Sequence, residues 1–422
     1  MISIFKKLLS YTKTISTYFL ASLIPMVLNI AINPLIALNM SPEDYAIVGY
    51  YTSFNTLLTP IIVFYMFHYY TKRYYELNLT ERIKLQATIF KSLIYFSAIV
   101  AMICLGSLSL YVKIFNKDSS MPLMPYAALS VLAIPLTGIY TLMQTDYKMG
   151  RNSKAFFILT ISNGLMLTLM TLFMVVLLKW GAFGKLFSVF AVNLLFFIIC
   201  CWKCRHLFTY KFNWEIFKEI LQFCWPLALA AMLGFFSNGY DRVYLERLGN
   251  NVELGYYVVG VQIGAYLSVF STAIFSTFQP DLFEGIVTKN SRLFAKSAVM
   301  IISLVSVIAV LFIAIAPFVI DILTAGRYIE SANYARLYSL SIIFSAIYYI
   351  INDYTIAKGY PKTSLLTTVI SSIFVIVILP YVVQKLKYNG AAVMISVSYI
   401  ISTIINFIFL IIYKRNESTL DN

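Results

Sequence analysis

The sequence predicts an all-α integral membrane protein of about twelve transmembrane helices, and three observations support that prediction. The chain has 422 residues, of which 60% are hydrophobic and only 12% are charged. A soluble domain carries roughly twice that charged fraction. Apolar runs of about 20 residues, long enough to cross about 30 Å of hydrocarbon, recur from end to end. The runs are continuous rather than alternating, which indicates helices.

The predicted spans form two groups of six. Those of the first group lie near 14–36, 45–69, 88–110, 122–145, 155–178 and 182–201. Those of the second group lie near 221–240, 252–279, 297–320, 333–356, 363–383 and 389–413. No connecting loop exceeds roughly 20 residues, so the chain leaves no room for a substantial soluble domain.

The basic residues between these spans predict the topology. With the N-terminus inside, about two thirds of the 32 lysines and arginines fall on the inner side. This bias places both termini in the cytoplasm and supports an even number of spans. It also explains the net charge of +14 without nucleic-acid binding, and no nucleic-acid partner is expected.

We expect two six-helix bundles, at 1–205 and 221–422, joined by a cytoplasmic linker at 206–220. An offset of 210 residues aligns Leu38 with Leu248 and Glu43 with Glu253. This weak internal similarity indicates a parallel repeat related by an axis along the membrane normal. Two facing bundles would create a central cavity suited to alternating access.

Motifs for catalysis or cofactor binding are not found. The sequence contains no P-loop, no Rossmann glycine pattern and no zinc-protease helix, so neither an enzyme nor a cofactor is expected. Cys201, Cys204 and His206 form a C-x-x-C-x-H cluster. A zinc site needs a fourth ligand, and reduced cysteines packed at the membrane boundary are the better interpretation, so no metal is expected.

Charged residues cluster around the end of the seventh span. A charge within a span is costly unless it faces a water-filled cavity or an opposite charge. Arg242 and Glu246 are four residues apart and could pair on one helix face. One interpretation makes the arginines a site for an anionic substrate, with a carboxylate as charge partner or proton carrier. The other makes the cluster an ion-pair network at the outer helix end. The members of the cluster are Asn238, Asp241, Arg242, Tyr244, Glu246 and Arg247.

Two further candidates lie inside other spans. Gln262 is in the eighth span, where a lone amide more often bonds to a neighbouring helix than to a ligand. Asp353 lies near the inner end of the tenth span and is a candidate for an inner gate or a protonation site.

Residues 33–45, which end in Ser41-Pro42-Glu43-Asp44-Tyr45, resemble the turn after the first span of Wzx-type O-antigen flippases. That family belongs to the multidrug/oligosaccharidyl-lipid/polysaccharide (MOP) flippase superfamily. Asp241-Arg242 with Leu248-Gly249 is similar to the family's seventh-span pattern. The chain departs from the family where many relatives carry an arginine, because Ile32-Asn33-Pro34 stands there.

The resemblance implies a polysaccharide transporter of the bacterial inner membrane. Its substrate would be an undecaprenyl-diphosphate-linked oligosaccharide, moved from the cytoplasmic to the periplasmic leaflet for O-antigen and lipopolysaccharide biosynthesis. The implied partners are this substrate, membrane lipids and other assembly proteins, such as a polymerase or a chain-length regulator. The alternative within the superfamily is a cation-coupled multidrug exporter.

Overall fold

The computed structural model describes residues 2–115, 120–358, 360 and 362–420, and the helices that it contains are long and apolar. Among the described residues, ten helices are long and apolar enough to cross a membrane. The protein is therefore a multi-pass, all-α membrane protein. Contacts divide the chain into two compact units, Met1–Met232 and Leu233–Asn422. The division at 1–205 and 221–422 with a linker between them stays a prediction.

Eight α-helices are found in the described part of the first unit. They are α1 (Ile2–Asn39), α2 (Pro42–Val63), α3 (Met66–Arg73), α4 (Leu79–Phe115), α5 (Tyr126–Met149), α6 (Ser153–Thr171), α7 (Gly181–Lys203) and α8 (Trp214–Leu233). A π-helical stretch, Leu172–Leu177, extends α6, and a 3₁₀ turn, Arg205–Thr209, follows α7.

The second predicted span is not one continuous helix. Phe64 and Tyr65 have φ values of 52° and 48°, so α2 ends at Val63 and α3 starts at Met66. A left-handed backbone conformation at a non-glycine residue costs about 1–3 kcal/mol and persists only where packing enforces it. The prediction of one helix over 45–69 is therefore wrong at this point.

The second unit begins with two short helices and continues with five longer ones. They are α9 (Phe235–Asn238), α10 (Tyr240–Glu246), α11 (Asn251–Ala265), α12 (Leu267–Val287), α13 (Ser291–Thr324), α14 (Ser331–Ala357) and α15 (Lys362–Leu420). Tyr266, between α11 and α12, keeps helical backbone angles of φ −59° and ψ −26°, so the two helices together cover the predicted span 252–279.

The helix α15 is a hairpin. Its backbone leaves helical geometry at Lys387, where φ is 49° and ψ is −132°. The hydroxyls of Ser371 and Ser402, 31 residues apart, lie 2.7 Å from each other across the two arms. In a straight helix they would be about 46 Å apart. Lys387 thus separates the two predicted spans 363–383 and 389–413, while twelve crossings and cytoplasmic termini stay predictions.

Pro317, inside α13, shows how a polar side chain from another helix can replace a missing backbone donor. Proline has no N–H, so the carbonyl of Ile313, four residues earlier, loses its helical donor. The Nε of Arg336 on α14 donates to this oxygen at 3.0 Å. The arginine therefore binds α14 to α13 at the point where α13 lacks a backbone hydrogen bond.

Candidate functional site

The seventh predicted span is broken twice, and the breaks lie at glycines. The helix α8 ends before Gly234, and Gly239, with φ −158° and ψ −27°, separates α9 from α10. The break frees the carbonyl of Leu233, which accepts a hydrogen bond from the hydroxyl of Ser372 at 3.0 Å. The predicted cluster of charged residues therefore lies on a separate short helix, α10, rather than at the end of a continuous span.

Asp241 on α10 is buried, with 7% of its surface exposed. One carboxylate oxygen accepts a hydrogen bond from the hydroxyl of Tyr257 on α11. The other oxygen, Oδ1, has no hydrogen-bond partner among the described residues. Asp241 borders a small cavity of about 10 Å³, which is about the size of one water molecule. The carboxylate is thus held by one donor and open to a second.

A group of tyrosines and a carboxylate extends from Tyr257, and the sequence reasoning missed it. The rings of Tyr257 and Tyr334 are 5.5 Å apart, and the hydroxyl of Tyr334 donates to Glu253. The hydroxyl of Tyr388 donates to the carbonyl of Asn250 at 2.9 Å. These contacts join α11 to α14 and α15. Because the chain has 32 tyrosines, the sequence alone does not single out these few.

Among the described residues, Arg242 makes no ion pair within 4 Å. Its side chain is half-buried, and its buried Nε makes no hydrogen bond. The predicted ion pair with Glu246 does not form. Although the spacing places both residues on one face of α10, Glu246 is only 3% exposed, and the two charged groups do not meet. A half-buried guanidinium without an ion pair has its charge available to a ligand.

Two other predicted residues near α10 lie at the surface. Arg247 is exposed, and its guanidinium lies 5.9 Å from the ring centre of Tyr244. Such an exposed cation–π contact is worth about 0.5–1 kcal/mol. Asn238 is also exposed, and its amide bonds weakly to the carbonyl of Gly234 at 3.4 Å. These two side chains are therefore open at the surface of the unit.

Gln262 and Asp353 make their contacts elsewhere in the second unit. The amide of Gln262 lies 3.4 Å from the hydroxyl of Tyr266, one turn along the chain. Asp353 on α14 accepts a hydrogen bond of 2.7 Å from Gln279 on α12. The structure thus brings Asp241, Arg242 and Glu246 together on α10 but gives Gln262 and Asp353 partners of their own.

The turn that carried the family resemblance has a structural role. Ser41 caps α2, since its hydroxyl accepts from the N–H of Asp44 at 3.2 Å and its own N–H donates back at 2.9 Å. Asp44 also accepts from the N–H of Ala182 at 2.8 Å, which ties α2 to the start of α7. Gly181 has φ +50°, and a Cβ there would lie 2.5 Å from the Asp44 carboxylate.

The second unit starts α11 in a similar way. Asn250 caps the helix by accepting from the N–H of Glu253 at 3.1 Å, and the Glu253 carboxylate bonds to Tyr334 of another helix. Asp44 and Glu253 therefore hold the same position, the third residue of the helix. The matching caps, Ser41 and Asn250, are 209 residues apart, whereas Leu38 and Leu248 are 210 residues apart.

Polar contacts also organise the predicted inner end of the first unit. The hydroxyl of Tyr69 on α3 donates to Glu219 on α8 at 2.6 Å, and Tyr70 donates to Asp146 on α5 at 2.5 Å. Burial and then the Glu219 acceptor raise the pKa of Tyr69 to about 12. Burial and then the Asp146 contact raise the pKa of Tyr70 as well. Both tyrosines thus stay neutral donors.

The cysteines are free thiols. Burial, followed by the nearby Asp146 and Cys201, raises the pKa of Cys204 to about 11, so this residue is a neutral thiol. In the described part of the chain, no three His, Cys, Asp or Glu side chains lie close enough together to hold a metal ion.

Comparison with solved structures shows the fold. The chain is similar to the lipid II flippase MurJ in an inward closed conformation, with a TM-score of 0.70 and 14% identity over 93% of this chain and 87% of that one. An inward-facing multidrug resistance MATE transporter of the MOP superfamily also gives 0.70, with 11% identity over 94% and 97%. A MOP superfamily transporter from Pyrococcus furiosus gives 0.59, with 12% identity over 97% and 96%. The fold is that of MOP superfamily transporters.

The family is shown by the sequence itself. Residues 11–286 match the model of the family described as polysaccharide biosynthesis protein. The chain belongs to that family. A search of curated protein sequences finds no match.

Proposed function

We propose that the protein is a flippase for an undecaprenyl-diphosphate-linked oligosaccharide, the repeat unit of an O-antigen. It would move this lipid from the cytoplasmic to the periplasmic leaflet of the bacterial inner membrane by alternating access of its two halves. The observation that supports this substrate is the charge of Arg242, which makes no ion pair within 4 Å among the described residues.

A lipid-linked sugar diphosphate presents a dianionic group to the transporter. An arginine matches phosphate oxygens with two parallel N–H donors, which a lysine cannot do. Because Arg242 stands on a short helix between Gly239 and the exposed Arg247, substrate phosphate could reach it without displacing an existing ion pair. The similarity in fold to a lipid II flippase is consistent with a lipid-linked substrate.

Asp241 has a separate role in this proposal. Its carboxylate accepts a hydrogen bond from Tyr257 on one oxygen, and the other oxygen has no hydrogen-bond partner among the described residues. We propose that Asp241 is the charge partner or proton carrier that couples transport to an ion gradient. Neither a polymerase nor a chain-length regulator is needed for this step, although both are proposed partners in later assembly.

One observation favours the alternative, a cation-coupled multidrug exporter. The sequence predicts Asp241 and Glu246 near a helix end, whereas the structure buries both carboxylates. Buried carboxylates inside spans suit a cation, and the fold is equally similar to a multidrug transporter. Arg242, which makes no ion pair within 4 Å in the described part of the chain, favours the anionic substrate over this alternative.

Deletion of the gene in its host distinguishes the two functions. For the flippase, surface polysaccharide is lost, and mass spectrometry shows lipid-linked repeat units accumulating on the cytoplasmic side. Drug susceptibility stays unchanged, and a plasmid copy restores the polysaccharide. Normal surface polysaccharide together with increased drug accumulation would instead identify an exporter.

A further inference from the structure

A second site lies in the second unit, away from α10. A cavity of about 660 Å³ opens where the ends of α12, α13 and α14 meet the last turns of α15. This volume lies within the range of small-molecule sites. By the predicted topology, this end of the unit faces the cytoplasm.

The charged residues that line the cavity are basic. Lys289 follows α12, and Lys358 caps α14; among the described lining residues, these are the charged ones. The ammonium of Lys358 lies 5.9 Å from the ring centre of Tyr354, another lining residue. The nearby carboxylate of Asp353 is already engaged by Gln279. Two positive charges therefore face the same cavity.

Apolar side chains also line the cavity. Phe407, Leu410 and Ile411 of α15 line it. Phe407 is 56% exposed and Ile411 55%, so these side chains border the space that the bilayer occupies. A ligand that combines an anionic group with hydrocarbon would complement both kinds of lining residue.

We propose that this cavity binds an anionic phospholipid of the cytoplasmic leaflet. The phosphate of the headgroup lies between Lys289 and Lys358, and the acyl chains run along Phe407 and Ile411. Basic pockets between transmembrane helices on the cytoplasmic side recognise lipid headgroups through this combination of charges. A free phosphate would use the lysines but leave the apolar wall unfilled.

The backbone of Lys289 allows a clean test. Lys289 has φ 55°, a conformation that favours glycine. Lys289→Gly therefore removes the ammonium and relieves backbone strain, so the variant is expected to fold at least as well as the wild type. Lys179 also has φ 55° and is exposed, but it lies in the first unit on the predicted outer side. Lys179→Gly is the matched control.

The experiment measures lipid-dependent thermal stability of the purified full-length protein in detergent. Phosphatidylglycerol should raise the unfolding temperature of the wild type and of Lys179→Gly, while phosphatidylcholine or inorganic phosphate should not. For Lys289→Gly and for Lys358→Gln, the phosphatidylglycerol concentration required for the same rise in unfolding temperature should be roughly fivefold higher.

Two results would overturn the inference. One is equal stabilisation of Lys289→Gly and Lys179→Gly by phosphatidylglycerol. The other is a shift with inorganic phosphate alone that matches the shift with lipid, which would identify a simple anion site. Neither result depends on the substrate of the transporter, so the proposed flippase function is tested separately.

Discussion

The hydroxyl of Tyr257 on α11 donates a hydrogen bond to the carboxylate of Asp241 on α10. This contact joins the short helix that carries Arg242 to one of the longer helices of the unit. Since α10 has only seven residues, its position depends on such contacts more than on its own helical hydrogen bonds. The tyrosine therefore positions the charged cluster.

Tyr257→Phe should destabilise the protein by about 1.5–3 kcal/mol, because it removes the donor from a buried carboxylate. Thermal unfolding of purified protein in detergent measures the loss. Tyr381→Phe is the control, since Tyr381 is exposed in the same unit, and it should leave the unfolding temperature unchanged. Equal effects of the two substitutions would show that the Asp241 contact contributes nothing.

Arg336→Met should cost about 1–2 kcal/mol in the wild type, because the carbonyl of Ile313 loses its donor. In a Pro317→Ala background, the alanine N–H restores the helical bond to that carbonyl, and the same substitution should cost much less. A double-mutant cycle on unfolding free energies measures the difference. An identical cost in both backgrounds would contradict the claim that Arg336 replaces the donor missing at Pro317.

Gly181→Ala should destabilise the protein by about 3 kcal/mol, and Gly249→Ala by about 1 kcal/mol. Both glycines have positive φ, +50° and +72°, so both substitutions strain the backbone. An added Cβ at Gly181 also collides with Asp44. An added Cβ at Gly249 has no heavy atom within 4 Å apart from those of its chain neighbours. Unfolding temperatures that fall equally would show that the Asp44 contact does not constrain α7.

Cys204 should resist alkylation at neutral pH. Since burial and the nearby Asp146 carboxylate raise its pKa to about 11, fewer than about one molecule in a thousand is a thiolate at pH 7.5. Iodoacetamide labelling, followed by peptide-resolved mass spectrometry, should therefore be slow in the folded protein and fast after denaturation. Rapid labelling of the folded protein at pH 7.5 would contradict this assignment.

The sequence predicts the spanning helices well because their signal is local. Twenty consecutive apolar residues have no stable alternative to a helix in lipid. The breaks are less local. Neither Phe64 nor Tyr65 is a glycine, whose presence would indicate a left-handed conformation, and no proline lies at these two positions. Their backbone conformation follows from packing with other helices. For the same reason, the prediction of a continuous second span is wrong.

The candidate site was only partly predictable. Asp241 and Arg242 stand out because charges are rare in spans, and the structure places both on α10. Their partners could not be inferred, because Tyr257 is 16 residues away and one tyrosine among 32. The Arg242–Glu246 pair illustrates the limit of spacing rules, which give a shared helix face but not the burial that separates the two side chains.

Transport of the lipid-linked substrate by Arg242 variants tests the central claim most directly. The measurement follows translocation of a purified undecaprenyl-diphosphate-linked oligosaccharide in proteoliposomes with equal amounts of inserted protein. Arg242→Ala should slow translocation at least about tenfold, and Arg242→Lys should retain part of the rate, because charge persists without bidentate geometry. Arg327→Ala, which removes an exposed arginine of the same unit, should transport at the wild-type rate. Wild-type translocation by Arg242→Ala would contradict the claim that this residue binds the diphosphate.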